Sequence, residues 1–303
     1  MIYTVTFNPC LDYVMHTGEL DFGHTNRSES EEFSVGGKGI NVSVILSNLG
    51  LDTKALGFTA GFVGEYIKRQ VEEYGIKADF IDLPEGVSRI NVKIKSSQET
   101  EINGQGPHIP SECIEELFKK IDLLVKGDTL VLAGSIPQSL PDNIYERIMQ
   151  RLDGRGINII VDATGDLLVN VLKYHPFLIK PNNDELGEIF GLSELTDEQI
   201  VSCAEKLRGM GARNVLVSMG KHGAILVDEN SLVTKIGCPQ GKPVNTVGSG
   251  DSMVAGFIAG YILKKDYKFA LQLGTAAGSA TALSIGLGSK DEIERQLDIV
   301  KSM

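Results

Sequence analysis

The sequence predicts an α/β protein in which a doubly wound, mainly parallel sheet is flanked by helices and carries a small β-sheet as an appendage. Two observations predict it. From Glu112 onward, strand-like apolar runs alternate with helix-like stretches, and the strands are apolar at consecutive positions. That is the pattern of strands covered on both faces. Earlier in the chain, Arg89-Ile-Asn-Val-Lys-Ile-Lys95 alternates strictly, with Ile90, Val92 and Ile94 on one side, the pattern of a strand with one dry face. In a sheet built by strand–helix alternation, ligands bind at the carboxyl ends of the strands.

The elements follow in order. Met1 to Phe7 reads as an opening strand and lacks the basic flank and small-residue cleavage site of a signal peptide. Asn8 to Glu32 is polar and turn-rich, after which Gly36-Gly-Lys-Gly39 opens a helix running to Leu49, with Gly50 as its C-cap. Lys54 to Phe58 reads as a strand, Gly64 to Tyr74 as a helix closed by Gly75, and Phe80 to Leu83 as a short strand. Ser96-Ser-Gln turns the Arg89 strand into a second strand from Glu99 to Ile102. With a strand at Glu32 to Val35, this hairpin makes a small lid sheet, drawn from about residues 12–35 and 88–106 of a single domain spanning 1–303. Then come a helix to Val125, strand Thr129 to Ala133, helix Asp142 to Leu152, strand Asn158 to Asp162, helix Asp166 to Tyr174 and strand Phe177 to Lys180. Helices at Asp184 to Phe190 and Asp197 to Met210 precede strands Asn214 to Met219 and Ala224 to Asp228, and the chain from Asp251 on is mostly helical.

Composition narrows the function. Asp and Glu outnumber Lys and Arg by 40 to 29, a formal charge of −11, which argues against a broad cationic surface for nucleic acid and requires an anionic ligand to be held locally. Cys10, Cys113, Cys203 and Cys238 are scattered singly without a C-x-x-C pair, which fits unpaired thiols in a reducing compartment rather than a zinc site. No apolar run reaches the length of a membrane span, and the expected location is the cytoplasm.

The most informative segment is Asn245-Thr-Val-Gly-Ser-Gly-Asp251, followed at once by an apolar helical run. Gly248, Ser249 and Gly250 let backbone N–H groups approach an anion, and a helix beginning there adds its positive dipole end. Asp251, in the first turn, can accept a proton from an attacking hydroxyl while the amides stabilise a phosphoryl group. The chain has no G-x-x-x-x-G-K-[ST] and no supported G-x-G-x-x-G, so neither a P-loop nor a dinucleotide fold is indicated.

Taken with Gly36-Gly-Lys-Gly-Ile-Asn-Val42 and Lys180-Pro-Asn-Asn-Asp-Glu185, this segment resembles the PfkB branch of the ribokinase-like sugar kinases. The resemblance runs from Asn8-Pro-Cys-Leu-Asp12 to the C-terminal helices. Leu56-Gly-Phe-Thr-Ala-Gly-Phe-Val-Gly-Glu-Tyr66, Glu99-Thr-Glu-Ile-Asn-Gly-Gln-Gly-Pro107 and Leu132-Ala-Gly-Ser-Ile-Pro137 point within it to the members that phosphorylate fructose 1-phosphate. It implies a ribokinase-like fold and transfer of phosphate from ATP to the C6 hydroxyl of fructose 1-phosphate, with Asp251 as base and Gly248, Ser249 and Gly250 holding the moving group. It implies Mg²⁺ organised by Asn182 and Glu185. Asp12, Gly36, Gly37 and Asn41 would meet the sugar, and Lys38, Arg27, Arg89 and Ser135 its standing phosphate. ATP would lie along Ser218, Gly220, Lys221, Gly223, Thr246, Ala277 and Gly278. The family more often has Asp at 245 and Ala at 249; Asn245 removes a charge, whereas Ser249 retains its N–H. Tagatose 6-phosphate or fructose 6-phosphate is the alternative acceptor, a silent sugar-phosphate or nucleotide sensor the alternative of another class, and a homodimer through the lid the expected assembly.

Overall fold

The structure is a computed structural model that describes residues 1–303. Its elements are β1 (Ile2–Thr6), β2 (Cys10–His16), β3 (Ser30–Gly36), α1 (Lys38–Asn48), β4 (Thr53–Thr59), α2 (Gly61–Glu73), β5 (Lys77–Ala78) and β6 (Ile81–Asp82). Next come β7 (Arg89–Lys95), β8 (Glu99–Asn103), α3 (Ser111–Asp122), β9 (Thr129–Ala133), α4 (Ile144–Leu152), β10 (Asn158–Asp162), α5 (Gly165–Val169), β11 (Leu178–Ile179) and α6 (Asn183–Phe190). The chain ends with α7 (Asp197–Gly209), β12 (Asn214–Ser218), β13 (Ala224–Val227), β14 (Val233–Ile236), α8 (Ser249–Lys264), α9 (Tyr267–Ala282) and α10 (Lys290–Ser302).

The main sheet has the order β14-β13-β12-β11-β10-β9-β1-β4-β5, with β6 added beside β4. It is parallel from β12 to β5, and β13 and β14 close it as an antiparallel edge. Around β1 the chain winds in opposite directions, to β4 on one side and β9 on the other, which makes this the topological switch point where a crevice opens. The continuous apolar strands are explained by their two covered faces. Leu130 and Leu132 of β9 pack with α3, α4 and α7 in one core, while Val131 between them packs with α1, α8, α9 and α10 in another.

The small sheet, in the order β3-β2-β7-β8, joins the main body through Leu11, Ile40, Val44 and residues of α2. Its middle strand, β2, lies where the sequence reads as a turn-rich segment. Leu11, Tyr13 and Met15 do alternate there, but Cys10 and Val14 on the opposite side blur the pattern against Asp12 and His16. Two smaller differences are the extra edge strand β14 and the break of the expected 166–174 helix into α5 and a 3-10 turn, Leu172–Tyr174, ended by His175 in a left-handed conformation. No helix is long and apolar enough to cross a membrane.

The position of α8 fixes everything that follows. Ten consecutive residues, Asp251 to Gly260, are buried, so the helix is apolar on every side, as a helix enclosed by protein must be. It lies against α9 at backbone distance. A Cβ added to Gly256 would meet the Leu273 carbonyl oxygen at 2.5 Å, and one on Gly260 the Ala270 Cα at 2.7 Å. The small residues are there because larger ones would force the pair apart. Gly256→Ala is therefore expected to lower unfolding stability by about 1–3 kcal/mol, the usual cost of overpacking, read from urea unfolding curves; an unchanged midpoint would show that the helices are not in this contact.

Candidate active site

An open cleft of about 1420 Å³ runs between the carboxyl ends of the central strands and the polar face of the small sheet. Its floor is the start of α8. Gly248 caps the helix in the left-handed conformation, φ 80°, and Ser252 Oγ donates to the Gly248 carbonyl at 2.8 Å. The N–H groups of Gly248, Gly250 and Asp251 carry no backbone partner and remain available to an anion. The Ser249 N–H, expected to join them, instead donates to the Thr246 carbonyl at 3.2 Å, and the Ser249 hydroxyl bonds the same oxygen. A serine at this position can turn inward on its own loop, as its sequence neighbourhood did not disclose.

Asp251 is only 6% exposed. Its Oδ2 accepts from Asn41 Nδ2 at 2.8 Å. Burial, and secondly the carboxylate of Asp162, push the Asp251 carboxyl up to about 6, against the opposing pull of the Asn41 hydrogen bond and of the Lys38 and Lys180 ammonium groups. Asp162, at the end of β10 and buried, is approached by Lys38 Nζ at 3.4 Å and Lys180 Nζ at 3.5 Å on Oδ1, while its Oδ2 has no hydrogen-bond partner. Burial lowers the Lys38 pKa, but Asp162, Asp251 and Glu185 outweigh it and hold the ammonium above its usual range. Lys180 also reaches the helix start, because a Cβ on Gly250 would meet its Nζ at 3.3 Å. Two carboxylates and two lysines from four separate elements thus surround one helix N-terminus.

The small sheet supplies the opposite wall. Asp12 Oδ1 accepts from Asn91 Nδ2 at 2.8 Å and from Cys10 Sγ at 3.3 Å, and Lys93 Nζ lies 3.2 Å from Oδ2. Burial, then Asp12, push the Cys10 thiol up to about 12, so it is a neutral donor here. Gly36 lets the two strands' side chains close up, since a Cβ there would sit 2.9 Å from Asp12 Oδ2 and 2.7 Å from Cys10 Sγ and would displace the Asp12 carboxylate. Gly37 precedes α1 at φ 134°, in the region that favours glycine. Arg89 donates from Nε to the Asn8 carbonyl at 3.0 Å, which fixes its stem while the outer guanidinium nitrogens stay unpaired.

Farther along the cleft, Asn182 and Glu185 form a complete capping box on α6: Asn182 Oδ1 accepts from the Glu185 N–H, and Glu185 Oε2 from the Asn182 N–H, both at 2.8 Å. Glu185 Oε1 is left without a hydrogen bond inside the protein. No group of three or more His, Cys, Asp or Glu side chains encloses a candidate metal position. Ser218, Gly220, Lys221, Gly223, Thr246 and Gly278 line this end of the cleft. Asn245 organises its rim, accepting from the Val247 N–H and donating to the Ile285 carbonyl, each at 3.0 Å. That is work for an amide, which donates and accepts, and not for a carboxylate.

Three expected residues lie elsewhere. Arg27 is exposed in the β2–β3 loop, Ser135 is exposed beyond β9, and Ala277 is enclosed in the core facing α8, so none lines the cleft of its own chain. Conversely, the cleft contains Asp162, Lys180, Asn91 and Lys93, to which sequence reasoning gave no role. A signal existed for each: Asp162 and Lys180 end or follow apolar strands at the ligand-binding edge of the sheet, and Asn91 and Lys93 share the polar side of the alternating strand that Arg89 begins.

Residues 5–294 match the pfkB family carbohydrate kinases. The chain is 44% identical over 301 residues to 1-phosphofructokinase of Bacillus subtilis, covering 99% of both proteins. It is 38% identical over 296 residues to D-tagatose-1-phosphate kinase of Bacillus licheniformis, covering 97% of both. The crystal structure of phosphofructokinase-2 from Escherichia coli in complex with substrates and products shares the fold with a TM-score of 0.91 at 26% identity, over 99% of each chain.

The charge arrangement makes a specific prediction. Asp162→Asn removes a negative charge that raises the Asp251 pKa, so in this variant Asp251 should titrate lower than in the unsubstituted protein, measured side by side in carbon-detected NMR of aspartate-labelled protein. An unchanged or higher value would mean that the two carboxyls do not interact.

Proposed function

The chain belongs to the pfkB family of carbohydrate kinases, and we propose that it transfers the γ-phosphoryl group of ATP to the C6 hydroxyl of fructose 1-phosphate, releasing fructose 1,6-bisphosphate and ADP. The observation that carries the chemistry is the buried Asp251, raised to about 6 and facing the cleft at the N-terminus of α8. At neutral pH such a carboxyl is mostly ionised, yet it is a stronger proton acceptor than an exposed aspartate. The choice of fructose 1-phosphate is supported by the 44% identity to a 1-phosphofructokinase over 99% of the chain.

The reaction follows from the residues around Asp251. Asn41 fixes one carboxylate oxygen and leaves the other to accept the C6 hydroxyl proton as the oxygen attacks phosphorus. The free N–H groups of Gly248, Gly250 and Asp251 meet the transferring oxygens, and Lys180 and Lys38 balance the charge that develops beside them. Asp12, held by Asn91, Cys10 and Lys93, accepts sugar hydroxyls. The outer nitrogens of Arg89 suit the standing phosphate, because guanidinium offers paired donors. Thr246, Gly220, Lys221, Gly223 and Gly278 line the path of the nucleotide. Glu185, with one free carboxylate oxygen, and Asn182 fit a magnesium ion that keeps most of its waters and needs few protein oxygens. When bound, Mg²⁺ would neutralise charge on the ATP phosphates.

The small sheet acts as the lid over the sugar within one catalytic domain, and its exposed outer surface, where Tyr13 stacks on Phe33 at 4.6 Å and Ile102 is 61% exposed, is the face for a homodimer. The absence of disulfides among the four cysteines supports a cytoplasmic location.

A second acceptor is favoured by a specific relation, the D-tagatose-1-phosphate kinase at 38% identity. Tagatose 1-phosphate is the C4 epimer of fructose 1-phosphate, a nearer competitor than the 6-phosphates considered from sequence. With Mg-ATP in a coupled ADP-release assay, fructose 1-phosphate is expected to exceed tagatose 1-phosphate, tagatose 6-phosphate and fructose 6-phosphate in kcat/KM by at least about tenfold, equivalent to roughly 1.4 kcal/mol of transition-state discrimination. Preference for tagatose 1-phosphate would keep the mechanism and replace the substrate. Saturable binding of sugar phosphate and ATP with no turnover would favour a sensor.

A further inference from the structure

At the amino ends of the central strands, away from the cleft, lies a second cavity, of about 340 Å³, and we propose that it is a binding site for a small, uncharged aromatic molecule with one hydrogen-bonding edge. The proposal goes beyond the kinase reading and does not depend on it. One wall is the last part of α8, where Ile258, Tyr261 and Ile262 recur at helical spacing and so form one stripe, continued by the capping residue Lys265. The other wall is the amino end of the sheet. Ile2, Thr129 and Asn158 are register partners on β1, β9 and β10, which brings their side chains out side by side, with Ile160 two residues above Asn158.

Three features identify the class of ligand. The volume is within the range of about 300–1,000 Å³ typical of small-molecule sites. Thr129 is 5% exposed, lines the cavity, and its hydroxyl makes no hydrogen bond within the chain; the side-chain amide of Asn158, half-buried beside it, also has none. A hydroxyl and an amide without partners in a chamber walled mainly by hydrocarbon call for a complementary polar edge. Both groups are neutral; of the charged groups in the lining, Asp52 and Lys265 are exposed and the Met1 ammonium is paired with Asp128 at 3.0 Å, so none is left inside to attract a charged ligand. Phe177 and Tyr261, with ring centroids 4.8 Å apart and planes at 48°, have faces engaged by Arg213, and by Tyr267 and Lys265, respectively, so they offer their edges, against which a planar ring can pack edge-to-face. The helix that forms this wall is the one whose first turn carries Asp251.

Indole is a suitable probe: it is planar and apolar with a single N–H, and the protein contains no tryptophan, so indole emission is read without background. The expected result is one saturable site per chain with blue-shifted emission, retained under saturating ADP and fructose 1-phosphate. Thr129→Val, which removes the hydroxyl at constant shape, should weaken binding at least threefold, and Ile262→Phe, which narrows the mouth, should weaken it at least tenfold. Transferred nuclear Overhauser effects from indole to the Ile258 and Ile262 methyl groups locate the site in the unsubstituted protein, whatever the folding of the variants. Absence of saturable binding, displacement by ADP, or Overhauser effects confined to cleft residues would overturn the proposal.

Discussion

Two carboxylates buried together at a helix N-terminus, Asp162 and Asp251, impose the constraint on which the rest of the molecule depends. Removing two like charges from water is costly unless opposite charge and hydrogen bonds accompany them. Lys38, Lys180 and Asn41 provide both. The five residues come from the start and first turns of α1, the end of β10, the residue after β11 and the first turn of α8, and only a parallel sheet that reverses direction around β1 brings those points to one place. The compensation is incomplete. Asp162 keeps one buried oxygen without a partner and Asp251 stays well above an ordinary aspartate. Charge left uncompensated on a buried carboxyl is what allows it to act as a base near neutral pH.

The two helices at this centre are held by the same means, glycines that permit close approach. Gly37 and Gly39 allow the start of α1 to lie against Thr6 and Val5, where any side chain would collide, so Lys38 and Asn41 project from a helix fixed to the sheet. The start of α8 is fixed from behind by Gly256 and Gly260 against α9, and from the front by Gly248, whose added Cβ would strike Leu287. Placement this close is what the proposed proton transfer would require. It explains why this chain spends glycines at these points and polar side chains on the small sheet, where Asp12 is oriented by side-chain neighbours instead of by backbone.

Much of this was legible in the sequence. The strands β9, β10 and β12 were readable to within a residue because covering both faces demands consecutive apolar residues, and Gly248 to Asp251 was readable because tight turns before helices restrict residue choice. The middle strand of the small sheet was not, since Asp12 and His16 face a polar cleft while Cys10 and Val14 share their side, leaving no clean period. Asp162 and Lys180 were missed for a different reason. A charged residue at a strand end has no local signature, and its meaning arises only when crossovers bring two such ends together. Arg27, Ser135 and Ala277 illustrate the reverse: each stood in a promising segment, but the turn beyond it, or the face of its helix, directs it away from the cleft.

The central claim is that Asp251 takes the proton from the sugar hydroxyl as phosphoryl transfer begins. The most direct test is turnover of Asp251→Asn with fructose 1-phosphate and Mg-ATP, measured alongside ATP binding by calorimetry. The amide keeps the shape of the side chain and loses its basicity, so kcat should fall by about 10²–10⁴, the usual contribution of a positioned base, with ATP affinity nearly unchanged. Turnover close to that of the unsubstituted enzyme would contradict the account.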